Sequence, residues 1–406
     1  MTPKVASAGE VRAGTYRWWV LANVLLVNAL VVGAAWNYVI VLVPEFTGGL
    51  GGDVADFFYL WSAITAGLWL FALPAGALGD RLGVRGAVGG GLLVGAASLA
   101  LRAGAESLPL AAGSMLVFGF VLAAVIANGP KALALHFPAA NLGLANGIAQ
   151  AGVGLGLALT TWVVPRIADA AGGWRGLSRA LAFAMAAAAA LWITTVRGAG
   201  TGQIGAVFPP IVAALRARGV RAIAIAYFLY LLGYIGAVGY LPTYFVSARG
   251  MDPESAGALM SLGPISFVVG SMALPSLSDA IGMRRQVYLG GMALGGVALF
   301  AAGALDGAAV RLAMLGFGFA TGVIGLLFVI PAELPSVGPE RAGSAVGAAT
   351  MAGFSGGVLS PIVGGWLVQT SPWLAFAFWG LALLGSALAI LAVRETGRRV
   401  AASRLG

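Results

Sequence analysis

Twelve long apolar stretches constrain this chain more than any other feature, because each is long enough to cross a lipid bilayer. A membrane-spanning helix needs about 20 consecutive apolar residues. The chain is 60% hydrophobic and only 9% charged, a composition that excludes a soluble globular domain. The predicted spans, numbered 1 to 12, cover residues 18–43, 57–78, 86–104, 109–134, 143–165, 177–196, 222–246, 255–277, 287–304, 311–332, 343–368 and 374–393.

The basic residues are distributed unevenly between the two ends of these spans. If residues 1–17 are cytoplasmic, 17 of the 23 lysines and arginines fall in cytoplasmic loops and tails, and 6 fall in outer loops. The positive-inside rule predicts this bias for an even number of spans with both termini inside. The net charge of +9 therefore indicates topology, and we expect the lipid bilayer, not nucleic acid, as the partner.

Chemical catalysis is not indicated by any side-chain pattern. The chain has no cysteine and a single histidine, His136, and no nucleophile–base pair or metal-ligand cluster is visible. We therefore expect no metal, no cofactor and no enzyme activity. Residues 1–17 lead into a span too long for the apolar core of a signal peptide, so we also expect no cleaved segment.

The chain divides into two similar halves. Asp80 is matched by Asp279 nearly two hundred residues later, and the glycine pair that opens span 5 is matched by Gly343 and Gly347. We predict an all-α membrane protein with two six-helix bundles related by a parallel repeat, and a substrate site near the midplane between them. The predicted units are a tail (1–17), a first bundle (18–196), a linker (197–221) with a surface helix near 208–215, a second bundle (222–393) and a tail (394–406).

A charged turn between spans 2 and 3 carries the most specific pattern. It reads Gly-Ala-Leu-Gly-Asp-Arg-Leu-Gly-Val-Arg over residues 76–85, and Asp-Ala-Ile-Gly-Met-Arg over 279–284 repeats its core, with Ala280 in place of the first arginine. This pattern is similar to the signature of the major facilitator superfamily, which the chain resembles over its whole length. The resemblance implies secondary transport by alternating access, with this turn latching the cytoplasmic gate. The predicted gating residues are Gly76, Gly79, Asp80, Arg81, Gly83, Arg85, Asp279, Gly282, Arg284 and Glu333.

The negative charges of the acidic gating residues suggest which groups they contact. Asp80 and Asp279 can face the positive N-termini of helices in the opposite half, which start near Gly343 and Gly143. Glu333 either pairs with Lys131 when the cytoplasmic side closes or is a carboxylate at a loop edge.

The resemblance implies that spans 1, 4, 7 and 10 line the substrate cavity. Asparagines in a lipid-spanning helix must find partners, and an ionisable group at that depth is a functional candidate. Trp36 either contacts substrate or anchors the outer interface, Lys131 either contacts substrate or extends its amine to the cytoplasm, and the span 7 tyrosines either stack on a solute or pack. The candidate substrate residues are Asn28, Trp36, Asn37, Asn128, Lys131, Gln150, Tyr227, Tyr230 and Tyr234.

The substrate class follows only weakly from resemblance. Residues 137–154 are similar to monocarboxylate and oxalate–formate porters, yet predicted spans 2 and 8 contain no arginine and predicted span 1 contains no lysine. We expect a small organic anion such as a monocarboxylate, with Lys131 as its counter-charge. The alternative is a neutral or cationic organic solute or drug; a lipid flippase or a non-transporting sensor is less favoured. We further expect a monomer in a bacterial inner membrane.

Overall fold

The computed structural model describes residues 8–198, 216–334, 337 and 342–397, and this part is helical apart from short connections. Eleven of its helices are long and apolar enough to cross a membrane. One of them, Val54–Ala103, has 50 residues and at 1.5 Å per residue would measure about 75 Å. Because the apolar core of a bilayer is about 30 Å thick, this helix makes two crossings. The twelve predicted spans are therefore present.

The helices of the first half follow the predicted spans closely, with a break within span 1. That span begins as an α-helix, continues as a π-helical segment and ends in a 3₁₀ turn. The bounds in the first half are Ala8–Val27, Asn28–Ala35 (π), Tyr38–Val41 (3₁₀), Val43–Gly48, Val54–Ala103, Leu108–Ala134, Ala139–Ala171 and Gly173–Thr195.

The second half is built in the same way, and here span 10 is interrupted by a 3₁₀ turn. The bounds are Arg218–Thr243, Tyr244–Ala248 (π), Pro253–Ile281, Arg284–Ala304, Gly307–Thr321, Gly322–Gly325 (3₁₀), Leu326–Glu333, Ala342–Thr370, Pro372–Ala389 and Ile390–Ala392 (3₁₀).

A single glycine separates spans 2 and 3. Gly83 has φ 76° and ψ 165° inside Val54–Ala103, a conformation that is strained for residues with a Cβ. Span 2 thus covers residues 54–82 and span 3 residues 84–103. The sequence predicted a turn over residues 79–85, whereas the structure continues the helix on both sides and confines the break to one residue. We call the end of the bundle with residues 76–85 and 279–284 the motif end, and the end with residues 48–53 and 104–107 the far end.

Helices approach most closely at glycines in corresponding spans of the two halves. A Cβ on Gly67 or Gly119 would overlap the backbone of the facing helix where spans 2 and 4 cross, and a Cβ on Gly270 or Gly318 would do so where spans 8 and 10 cross. Small residues allow such contact where lipid provides no hydrophobic force between helices. These paired crossings agree with the predicted repeat of six spans.

The two halves meet along two pairs of helices. Span 5 lies against span 8, where a Cβ on Gly257 would be 2.9 Å from Pro165. Span 2 lies against span 11, where the Thr65 hydroxyl donates to the Gly357 carbonyl at 3.3 Å. Spans 5 and 11 are therefore at the interface between halves, as predicted, while their sliding stays a prediction. The unit boundaries also stay predictions, because most of the linker, including 208–215, lies outside the described residues.

Spans 1 and 5 cross with backbone against backbone, and this crossing generates a stability prediction. A Cβ on Gly33 would be 2.6 Å from the Cα of Gly156, and a Cβ on Gly156 would overlap the backbone of Ala29. We expect Gly156→Ala to lower stability by about 1–3 kcal/mol, because the helices must separate to admit the methyl group. Thermal unfolding of the detergent-purified protein measures the effect.

Gly147→Ala is the matched control, because a Cβ there meets no atom of the described residues within 4 Å and the change improves helix propensity. Equal melting temperatures for the two variants would contradict the predicted packing role of Gly156.

Candidate functional site

A small cavity lies between the two halves, near the middle of the helices that enclose it. Its volume is about 20 Å³, which is room for about one water molecule. Spans 1 and 5 of the first half and spans 7, 8 and 10 of the second half form its walls. The lining residues are Ile40, Leu157, Thr161, Tyr234, Val238, Leu241, Met260, Gly263, Pro264, Phe267, Met314, Phe317, Gly318 and Thr321.

The predicted tyrosine row on span 7 is present, and one member reaches the cavity. The rings of Tyr230 and Tyr234 stack 5.5 Å apart at 10°, and Tyr234 stacks on Phe317 of span 10 at 5.9 Å and 17°. Tyr227 and Tyr230 are buried behind Tyr234, with Tyr227 packed edge-on against Phe328. Of the three tyrosines, Tyr234 is therefore the one placed to touch a solute in this cavity.

Two threonines of the cavity wall were not predicted. Thr161 donates to the Leu157 carbonyl at 3.0 Å, and Thr321 donates to the Phe317 carbonyl at 2.9 Å. Such bonds to the helix's own backbone satisfy the hydroxyl protons and leave an oxygen lone pair as acceptor. Threonines occur throughout these spans, so the sequence carries no signal that singles out these two.

Aromatic rings close the far end between the halves. Phe58 of span 2 lies 5.8 Å from Tyr240 of span 7, centroid to centroid. Trp61 lies against Gly239 of span 7 and stacks on Trp36 at 6.0 Å. The ring of Trp61 thus covers one face of the Trp36 ring. Whether Trp36 contacts substrate or anchors the outer interface stays a prediction.

Three buried indole N–H groups, two at this closure and one inside the second half, have no acceptor within the described part of the chain. They belong to Trp36, Trp61 and Trp379, and Trp379 lies against Gly236 and Gly364 of the neighbouring spans 7 and 11. A buried donor without an acceptor costs about 1–3 kcal/mol. The closed far end therefore has donors that an acceptor-bearing solute or water would satisfy once it opens.

The first half carries an ion pair at the motif end. The Lys131 amine lies 2.5 Å from an Asp80 carboxylate oxygen and donates to the Gly76 carbonyl at 3.0 Å. The two charged side chains are 40% and 52% exposed. Arg81 and Arg85 are exposed beside them. Lys131 thus has a carboxylate partner within its own half.

Asn128 fixes the same region from span 4. Its amide donates to the Ala75 carbonyl at 3.0 Å and to the Ala124 carbonyl at 2.9 Å, which ties span 2 to span 4. The position of Gly79 is filled by the Asn128 side chain, so a Cβ there would clash. The glycine of the motif is therefore needed for close packing, and Asn128 acts as a link between helices.

The second half carries a tighter charge cluster at the matching place. Arg284, whose side chain is 12% exposed, lies 2.5 Å from Asp279 and 3.0 Å from Glu333. Gly282, with φ 69°, ends span 8 just before it. Lys131 and Glu333 thus each have a partner of opposite charge in their own half, Asp80 and Arg284. A pair between Lys131 and Glu333 when the cytoplasmic side closes stays a prediction.

The predicted contacts of Asp80 and Asp279 with the starts of spans 5 and 11 stay predictions. The side chains of residues 139–144 and 342–344, which form those starts, are not among the described ones.

The sequence model of the Major Facilitator Superfamily matches residues 25–361 of the chain, which is most of its length. The chain belongs to the major facilitator superfamily. This confirms the resemblance carried by the charged turn, and it makes the protein a multi-pass membrane protein and a secondary transporter of small solutes. No curated protein matches the chain.

Not every residue that the superfamily resemblance pointed to lies at the cavity. Asn28 donates to the Ala149 carbonyl at 2.8 Å and so joins span 1 to span 5. Asn37 donates to the Val32 carbonyl at 2.8 Å, beside the break in span 1. Gln150 is exposed. Spans 1, 7 and 10 line the cavity, as expected. Spans 5 and 8 line it as well, whereas span 4 contributes none of the described lining residues.

The two charge clusters of this superfamily member differ in burial, which generates the next prediction. We expect Arg284→Met to lower stability by about 1–3 kcal/mol, since it leaves Asp279 and Glu333 without their shared cation. We expect Lys131→Met to cost less than about 1 kcal/mol, since its pair with Asp80 is well exposed to solvent. Thermal unfolding compares the two.

Glu333→Gln added to Arg284→Met removes the unpaired charge and should recover part of the loss. Similar losses for Arg284→Met and Lys131→Met, with no recovery in the double variant, would contradict this account.

Proposed function

We propose that this transporter carries a small, largely apolar organic solute that is uncharged while it occupies the central cavity. The proposal is supported chiefly by the composition of that cavity, whose walls are apolar apart from Tyr234, Thr161 and Thr321. Rings at Tyr234 and Phe317 suit an apolar or aromatic body. One phenol donor and two hydroxyl acceptors suit a solute with one or two polar groups.

Charge argues in the same direction. No charged side chain of the described residues lines the cavity, and a bare charge in an apolar site is strongly unfavourable. Lys131, the expected counter-charge for an organic anion, pairs with Asp80 instead. An anion would therefore have to compete with a carboxylate already in place.

Transport would require the halves to move apart. A cavity of about 20 Å³ is too small for an organic solute, so the solute enters only after contacts between halves break. At the far end those contacts are Phe58 against Tyr240 and Trp61 against span 7. Rocking of the halves about spans 2, 5, 8 and 11 would then expose Tyr234 to each side in turn.

The motif-end clusters are the proposed gate for the other side. Asp80 with Lys131, and Arg284 with Asp279 and Glu333, lie where the basic residues of the chain concentrate. The positive-inside rule assigns that end to the cytoplasm. On this assignment both termini are cytoplasmic, and we propose a monomer in a bacterial inner membrane.

An organic anion such as a monocarboxylate is the second candidate. It is favoured by the three indole donors without acceptors, at Trp36, Trp61 and Trp379, because a carboxylate would satisfy such donors once the far end opens. The two candidates place the solute's polar group in different positions, so variants separate them.

The test is a panel of neutral aromatic solutes, amines, carboxylates and inorganic anions, scored first by thermal stabilisation and then by uptake into proteoliposomes. A ligand at about a hundred times its Kd stabilises by about 2.7 kcal/mol. We expect neutral, largely apolar solutes to stabilise the protein, and Tyr234→Ala to weaken their binding at least about tenfold through loss of the ring contact.

Tyr59→Ala is the matched control, because Tyr59 is an exposed tyrosine of span 2 and its removal should leave binding unchanged. Stabilisation by carboxylates alone, lost in Trp61→Phe, which removes an indole donor, and kept in Tyr234→Ala, would refute the first candidate and support the second.

A further inference from the structure

Arg102 is a fully buried cation in the last turn of span 3. It is 0% exposed, although the sequence placed it among the outer-loop charges. Its guanidinium lies 5.9 Å from the ring centre of Tyr38 and 5.3 Å from that of Phe118. Both rings are themselves buried. The charge is therefore enclosed between spans 1, 3 and 4, near the far end of the first half.

The guanidinium is largely without acceptors. Its Nε donates to the Ser114 hydroxyl at 3.4 Å, which is a long contact. Its two terminal nitrogens are buried and meet no acceptor among the described residues. Ser114 gives its own proton to the Ala111 carbonyl and Ser98 gives its proton to the Ser114 carbonyl. The surroundings therefore offer up to four unused N–H donors and no negative charge.

No acidic side chain of the described residues reaches Arg102. The nearest one in sequence, Glu106, is exposed. The second half differs at the same end. There Arg249 lies over the ring of Tyr244 and pairs with the carboxylate of Asp306. Arg249 of the second half thus has a carboxylate partner, whereas Arg102 of the first half has none among the described residues.

A guanidinium stays charged in proteins, and a buried charge is stable only when it is paired and hydrogen-bonded. Two aromatic faces supply part of the stabilisation, but they accept none of the terminal N–H bonds. We propose that Arg102 binds a small inorganic monovalent anion of the size of chloride, held between spans 1, 3 and 4. This site is separate from the central cavity, and the anion acts as a structural ligand that fixes the far end of span 1.

Chloride is the probe. The purified protein is melted in nonionic detergent at constant ionic strength while chloride replaces gluconate, a much larger organic anion. We expect a saturable rise in melting temperature on the order of 5 °C, which bromide reproduces. Arg102→Gln should abolish the rise, whereas Arg179→Gln, at an exposed arginine of span 6, should keep it.

Ser114→Asp provides a second variant in case Arg102→Gln does not fold. It supplies a carboxylate beside the guanidinium, so we expect a stable protein whose melting temperature no longer depends on chloride. Equilibrium binding of radioactive chloride should give about one site in the wild type and none in Ser114→Asp. A wild type that is insensitive to chloride, or a chloride response that survives in Ser114→Asp, would overturn the proposal.

Because Arg102 lies outside the central cavity, the result is independent of the transported solute. A wild type whose melting temperature does not respond to chloride, but which still binds neutral solutes, refutes only this anion site. A wild type that responds to chloride but binds no neutral solute refutes only the proposed function.

Discussion

Close backbone contact at glycines is the constraint on which the rest of this structure depends. In a bilayer, lipid tails are as apolar as leucine, so burial of apolar surface does not drive helices together and packing must do so. Gly119 meets span 2, Gly156 meets span 1, and Gly318 and Gly356 repeat these crossings in the second half. Each half is thereby a tightly packed unit, and spans 5 and 8 use the same kind of contact between the halves at Gly257.

The site follows from this arrangement. The cavity forms where the two units face each other, beside the crossing of spans 8 and 10 at Gly318. Those faces are apolar and offer one phenol, Tyr234, and two threonines. Charges are placed at the ends of the helices, where Asp80 and Arg284 find partners within their own halves. In the proposed function the centre therefore selects a solute by shape and polarity, while the charges of Asp80 and Arg284 lie at the helix ends.

The sequence was sufficient for the spans, the repeat and the superfamily, because those depend on local apolarity and on the glycine-rich turn at residues 76–85. It was not sufficient for side-chain partners. Glu333 was the carboxylate that the sequence suggested for Lys131, and only the packing of span 4 on span 2 shows Asp80 as its partner. Thr161 is one hydroxyl among many, and Arg102 stands at a span end where burial and exposure look alike in sequence. These outcomes depend on how helices rotate against each other.

The joint at Gly83 has a consequence for how the protein is made. Only one residue with positive φ, Gly83, separates spans 2 and 3. No loop therefore connects them that would allow one helix to enter the bilayer well before the other. We expect the pair to enter the membrane together as a single helical hairpin. Its tip carries Arg81 and Arg85, and because basic residues resist translocation, the orientation of both helices is decided in one event. A change at Gly83 would then appear first as lost expression, before any transport could be measured.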